Sequence, residues 1–210
     1  MIIHDANLTF RGLSPNGGKQ KKIDSIILHH RAGNGDVESI HLQHQRQGWW
    51  GIGYHYYIRK NGEIWRGRPE KWVGSHAGSS NNYNTHSIGI CWEGNFEQEE
   101  MTDAQVESGR WLIEDIENRY DIVEILGHRD IAKTACPGKN FRWDDLFAPA
   151  PDYDVPDWAK DEFAQAVKIG ITDGSSPQTK IPRYQAVVLA YRAYIRAVQD
   201  AIKALGGKVI

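Results

Sequence analysis

The sequence predicts an α/β (α+β) fold: a mixed β-sheet flanked by α-helices, followed by a small C-terminal helical domain. Three observations predict it. Short apolar runs alternate with segments of helical periodicity. An Asn-Gly pair separates two strand-like runs. A proline-broken stretch then precedes a long pattern with helical spacing.

Taken in order, the first strand is Ser25–His30 (SIILHH), rich in Ile and too short for a helix. A helix is expected over Val37–Gln47, with Ile40, His44 and Gln47 on one face. GYHYYIRK (53–60) reads as a strand, Asn61-Gly62 as a type I′ turn, and Glu63–Arg66 as the returning strand. Residues 74–86, GSHAGSSNNYNTH, are small and polar and predict a long loop of the kind that carries function. Ser87–Trp92 (SIGICW) is a further strand, with Cys91 as a small buried residue.

Thr102–Arg119 is the strongest helix. Thr102 and Gln105 form a capping box, Met101 can staple onto Val106, and Val106, Ile113, Ile116 and Tyr120 make the buried stripe. Ile122–Leu126 resembles a short strand. Pro149, Pro151 and Pro156 mark a linker. The expected division is a domain at 1–148, a linker at 149–156 and a helical domain at 157–210. In that last domain one helix spans Asp157–Ile169 and another starts at Pro182. Tyr184, Val187, Val188, Tyr191, Ile195, Val198 and Ile202 fall at helical spacing on the second.

The composition narrows the function. A formal net charge of −2 leaves no basic excess to neutralise phosphates, which argues against nucleic acid as a partner. No apolar run is long enough for a membrane span. The start, MIIHDANLTFRGL, lacks a basic segment and a long apolar core, so synthesis in the cytoplasm without a signal peptide is expected. Eight Trp and nine Tyr against five Phe favour side chains with a flat apolar face and a polar handle, suited to sugar and peptide ligands. Only two cysteines, Cys91 and Cys136, are present, and their different contexts do not suggest a disulfide.

The chemistry concentrates in LGHRDIAKTACPG (126–138). Imidazole and thiolate are good zinc ligands, and zinc takes a tetrahedral shell of four. His128 and Cys136 are too far apart for one helical turn, so a loop must fold back to bring them to one ion. A third ligand is available on SIILHH. Strand alternation puts Ile27 and His29 on one face and Leu28 and His30 on the other, so only one of the two histidines can join.

ILHH, GYHYYIRKNGEIWRGR, GSHAG, NTHSIGICWEGNF and GHRDIAKTACPG occur in that order over about residues 20–146. Together they resemble the zinc-dependent N-acetylmuramoyl-L-alanine amidases, the type 2 amidases shared by phage endolysins and animal peptidoglycan recognition proteins. The resemblance implies one Zn2+ at the floor of a groove, held by His29, His128 and Cys136, with Tyr54 and Thr134 as catalytic residues. Thr134 stands where some phage members carry a lysine, and Cys91 stands where another branch carries a glutamate base. His76 and Asn84 match groove-lining positions, and Trp72 is placed to stack on substrate. The implied substrate is peptidoglycan, cut between N-acetylmuramic acid and L-alanine after release of the protein to the wall, as an endolysin of phage or prophage origin. A non-catalytic module binding muropeptides is the alternative, although such modules usually lose a ligand.

The tail DVPDWAKDEFAQAVKIGITDG…IPRYQAVVLAYRA is similar to one S-layer-homology helix–loop–helix unit, which implies cell-wall binding. The long apolar face of 184–202 also suits a homodimer.

Overall fold

The computed structural model describes residues 1–12, 18–78, 82–148, 160–162, 164–165 and 183–204. The chain divides into two compact units, Met1–Phe147 and Ala148–Ile210.

The first unit is built on a six-stranded sheet. Its strands are β1 (Ile3–Asp5), β2 (Ser25–His30), β3 (Tyr56–Ile58), β4 (Ile64–Arg66), β5 (Ser87–Trp92) and β6 (Glu124–Gly127). Their order across the sheet is β1-β4-β3-β5-β2-β6, and only the β3–β4 pair is antiparallel. All six residues of β2 and of β5 are buried, as expected of parallel strands covered on both faces. That is why both read as continuous apolar runs without polar alternation.

Alternation assigns the two faces. Ile26, Leu28, Ile88, Ile90 and Trp92 pack with Val106, Leu112, Ile113 and Ile116 of helix α2 (Asp103–Glu117). On the opposite face Cys91 and Tyr57 pack with Val37 and Ile40 of helix α1 (Val37–Arg46). Helix α2 begins at the expected capping box: Thr102 Oγ1 accepts from Gln105 N, and Gln105 Oε1 accepts from Thr102 N, both at 3.1 Å. Met101 and Val106 share the core beneath it, as the staple requires.

Several elements depart from the sequence reading. The 53–60 run forms a strand only at Tyr56–Ile58. The hairpin is a three-residue loop: Gly62 N donates to Arg59 O and Arg59 N to Glu63 O, both at 2.9 Å. Gly62 has φ +85° while Asn61 keeps a negative φ, so the type I′ expectation is corrected to a type I turn closed by a left-handed glycine. The edge strand β1 is too short to register in the sequence; it pairs in parallel with β4. Helix α3 (His128–Ile131) is a single turn directly after β6, where a loop was expected, and helix α4 (Trp143–Phe147) follows.

In the second unit residues 160–162 and 164–165 are helical, and helix α5 spans Arg183–Ala204. Glu162 and Arg192 form an ion pair at 2.9 Å. The expected linker and most of the expected 157–169 helix lie outside the described residues.

Candidate metal centre and its surroundings

His29, His128 and Cys136 converge, with one donor atom of each within 4.8 Å of the others. Three features of the chain bring them together. His29 is the fifth residue of β2 and faces the α1 side of the sheet, opposite Cys91 in register. His128 follows β6, which pairs in parallel with β2, so both histidines sit toward the carboxyl ends of adjacent strands. Cys136 is returned by the loop that follows His128: Arg129 N donates to Cys136 O at 2.8 Å, and Arg129 Nη2 donates to Gly138 O at 2.9 Å. The eight-residue separation of His128 and Cys136 is therefore a closed loop pinned at both ends.

His29 and His30 take different tasks. His29 Nδ1 lies 3.8 Å from Cys136 Sγ, and its ring centre is 4.6 Å from that of His128. The His30 ring turns to the α2 face, where Nδ1 accepts from Phe96 N at 3.0 Å. Its backbone still serves the cluster, because His30 N donates to Cys136 Sγ at 3.3 Å.

The donor set suits a zinc ion. Burial, and then the nearby His128, hold His29 well below the usual imidazole range, and burial lowers His128 as well. Both rings are therefore neutral at pH 7, the form that ligates. Burial pushes the Cys136 thiol up to about 11, against the His30 N–H, which favours the thiolate. Two neutral imidazoles and one thiol on three structural elements can supply three of the four positions of a tetrahedral site.

Tyr54 stands beside this cluster, with its ring centre 5.1 Å from that of His29. Burial, then the Cys91 and Cys136 thiols, push its phenol well above the ordinary value, so it keeps its proton. Cys91 itself packs with Tyr57, Val37 and Ile40, in the packing role expected of it. On the other side stands His44, whose Nδ1 accepts from Gly53 N at 3.1 Å and whose ring centre is 5.8 Å from Tyr54. Exposed Trp49 packs against His44 with ring centres 4.5 Å apart and planes tilted by 41°. His44 and Trp49 were not singled out as site residues. The signal was the aromatic pair directly before GIGY.

The remaining expected site residues are placed as follows. His76 is 5% exposed and lies beneath His29, with His76 Nδ1 at 3.0 Å from His29 Nε2. Asn84 is also buried; its Oδ1 accepts from His76 N and Ala77 N, both at 2.9 Å, so it organises the 74–78 loop from within. Thr134 is exposed, and its hydroxyl accepts from Cys136 N at 3.2 Å. Trp72 packs edge-on against Phe10 and lines a cavity of about 630 Å³ with Phe10, His55 and Arg68, a cavity whose lining includes neither Tyr54 nor any of the three metal-ligand candidates. His55 Nδ1 accepts from Gly89 N at 2.9 Å, leaving Nε2 to donate to Trp72 O.

Buried Arg68 ties the loops that carry Tyr54 and His76. It donates to Ile52 O at 3.0 Å and to Val73 O and Ser75 Oγ, both at 2.8 Å.

Comparison with known proteins follows the same residues. A family model described as N-acetylmuramoyl-L-alanine amidase matches residues 19–139. The endolysin of Escherichia phage T7 is 33% identical over 135 residues, covering 60% of this chain and 87% of that protein. Peptidoglycan-recognition protein SC2 of Drosophila melanogaster is 33% identical over 133 residues, 57% of this chain and 70% of its own. Among solved structures, the N-acetylmuramoyl-L-alanine amidase LysC from Clostridium intestinale URNW superposes with a TM-score of 0.63 at 38% identity. That match covers 70% of this chain and 95% of LysC.

Proposed function

The chain belongs to the N-acetylmuramoyl-L-alanine amidase family, and from that premise we propose that it hydrolyses the amide between N-acetylmuramic acid and L-alanine in peptidoglycan, using one zinc ion. The observation that carries this reading is the convergence of His29, His128 and Cys136 beside a protonated Tyr54.

His29, His128 and Cys136 would hold a zinc ion, and when bound it would act as a Lewis acid toward the amide carbonyl and lower the pKa of water toward ~7. The protein does the rest. Tyr54 keeps its proton and donates it, as a hydrogen bond, to the oxygen that gains charge as the carbonyl becomes tetrahedral. The departing amine needs a proton, which in net terms comes from the attacking water: Tyr54 passes its own proton to the amine and regains the one the water gives up. Thr134 acts through Cys136, whose amide its hydroxyl receives, and so steadies the third ligand. The exposed face of Trp49 beside His44 offers a stacking surface on the approach to Tyr54.

The second unit is proposed to hold the enzyme at the wall, and a tether of this kind raises local concentration without altering the chemistry. Val198 and Ile202 of α5 remain exposed, which supports pairing of two copies through this helix. Release to the wall during phage lysis is consistent with the endolysins among the relatives. Retention of all three ligands favours the enzyme over a muropeptide-binding module.

The test uses purified cell walls, with and without chelator, and measures new N-terminal alanine. Release that depends on zinc and vanishes in Cys136→Ser, while wall binding persists, is the expected result. Wall binding without release by the zinc-loaded wild type would instead identify a recognition module.

A further inference from the structure

We propose that His76 is a positioning residue for the metal: through its Nδ1 it fixes the ring of His29 so that His29 Nδ1 is presented to the ion. The inference rests on the zinc reading above and assigns a new role within it.

The geometry leaves His29 one free nitrogen. His29 Nε2 is engaged with His76 Nδ1 at 3.0 Å, and His29 Nδ1 faces Cys136 Sγ at 3.8 Å. A neutral imidazole carries one proton. If Nδ1 gives its lone pair to a metal, the proton must sit on Nε2, and Nε2–H then donates to His76 Nδ1. This is the arrangement by which a second residue sets the tautomer and orientation of a metal-bound histidine.

His76 is held for this task. Its backbone N–H and that of Ala77 both donate to Asn84 Oδ1. Its ring lies over two glycines on different segments. A Cβ on Gly74 would come within 2.5 Å of His76 Cδ2, and one on Gly89 within 2.5 Å of His76 Cγ. Gly89 lies two residues before Cys91 on the same strand face, so the cradle opens directly under His29.

Packing alone does not account for a histidine here. The ring is 5% exposed, and His76 Nε2 is buried without a hydrogen-bond partner among the described residues. An apolar ring or Leu would fill the space without burying that polar atom. Among the described residues, the one hydrogen bond this ring makes is to the candidate metal ligand.

The experiment compares His76→Leu, which removes the acceptor, with His76→Asn, whose amide oxygen can approach the place of Nδ1. Zinc affinity of the full chain is measured by chelator competition. His76→Leu is expected to weaken zinc binding about 10–100-fold, and His76→Asn to recover most of that loss. Zinc binding by His76→Leu equal to wild type overturns the proposal. Should His76→Leu fail to fold, nitrogen NMR on the zinc-loaded wild type decides. A proton on His29 Nε2, coupled across the hydrogen bond to His76 Nδ1, supports the role, and metal on His29 Nε2 refutes it. Alanine release is read separately. A wild type that binds zinc with the expected tautomer but cuts no wall defeats the amidase reading alone. Cleavage with unaltered affinity in His76→Leu defeats this inference alone.

Discussion

In the proposed mechanism Tyr54 has the most direct chemical role of any single residue. Its ring adjoins His29, and Tyr54→Phe removes one oxygen with little change in packing. Turnover is expected to fall by about 10²–10⁴, the usual range for a lost proton donor, while zinc content and wall binding are retained. Undiminished turnover would remove Tyr54 from the chemistry. Gly89 is the corresponding steric residue. Gly89→Ala drives a methyl group into the His76 ring, and overpacking of this kind costs roughly 1–3 kcal/mol. Urea denaturation should show that loss; equal stability would mean that the ring can move aside. The residue types of the centre were legible early, because imidazole and thiolate in one motif already suggest zinc. The part played by His76 was not, since nothing in GSHAG says that its imidazole meets a ring on β2.

At the scale of elements, the ends of strands and helices decide the outcome. The α2 capping box was readable because it is local: Thr102 and Gln105 are three residues apart. The Glu70 network is not local. Glu70 lies after β4, yet it accepts from Arg119 through both terminal nitrogens at 2.8 Å, from Tyr120 Oη at 2.8 Å and from Tyr56 Oη at 2.5 Å. Burial opposes its charge, but Arg119 and the two hydroxyls overcome that and hold the carboxyl below its ordinary range. A carboxylate with a lowered folded pKa stabilises above its unfolded value of about 4.3, and the contribution fades as pH falls through the folded value. Glu70→Gln should therefore cost roughly 1.5–3 kcal/mol at pH 7, with the deficit shrinking below pH ~4. A deficit independent of pH in thermal melts would show that the ion pair is not its source. Helix α3 illustrates the limit of local reading. One turn of four residues has no periodicity to detect, and it forms where β6 ends and the Arg129–Cys136 bond closes the loop.

For the whole molecule, the division into units at Phe147 sets the remaining prediction. A chain of residues 1–147 should cleave a soluble muramoyl peptide within about twofold of the full-length rate, because the ligands and Tyr54 all lie inside it, while pulldown on intact walls should fail. Retained wall binding would place the anchor in the first unit. The order of β2, β5 and α2, and the candidacy of His128 and Cys136 as metal ligands, were determined by the sequence itself, and the family resemblance pointed to His29. Continuous apolar runs, a capping pair three residues apart and a histidine–cysteine loop are signals that short stretches of chain carry. Tertiary structure alone decided which face of the sheet carries the centre, that Tyr54 lies beside His29, and that His76 lies beneath His29 while Trp72 lines a separate cavity. Those outcomes depend on strand register and on contacts between residues tens of positions apart, and no local pattern encodes such distances.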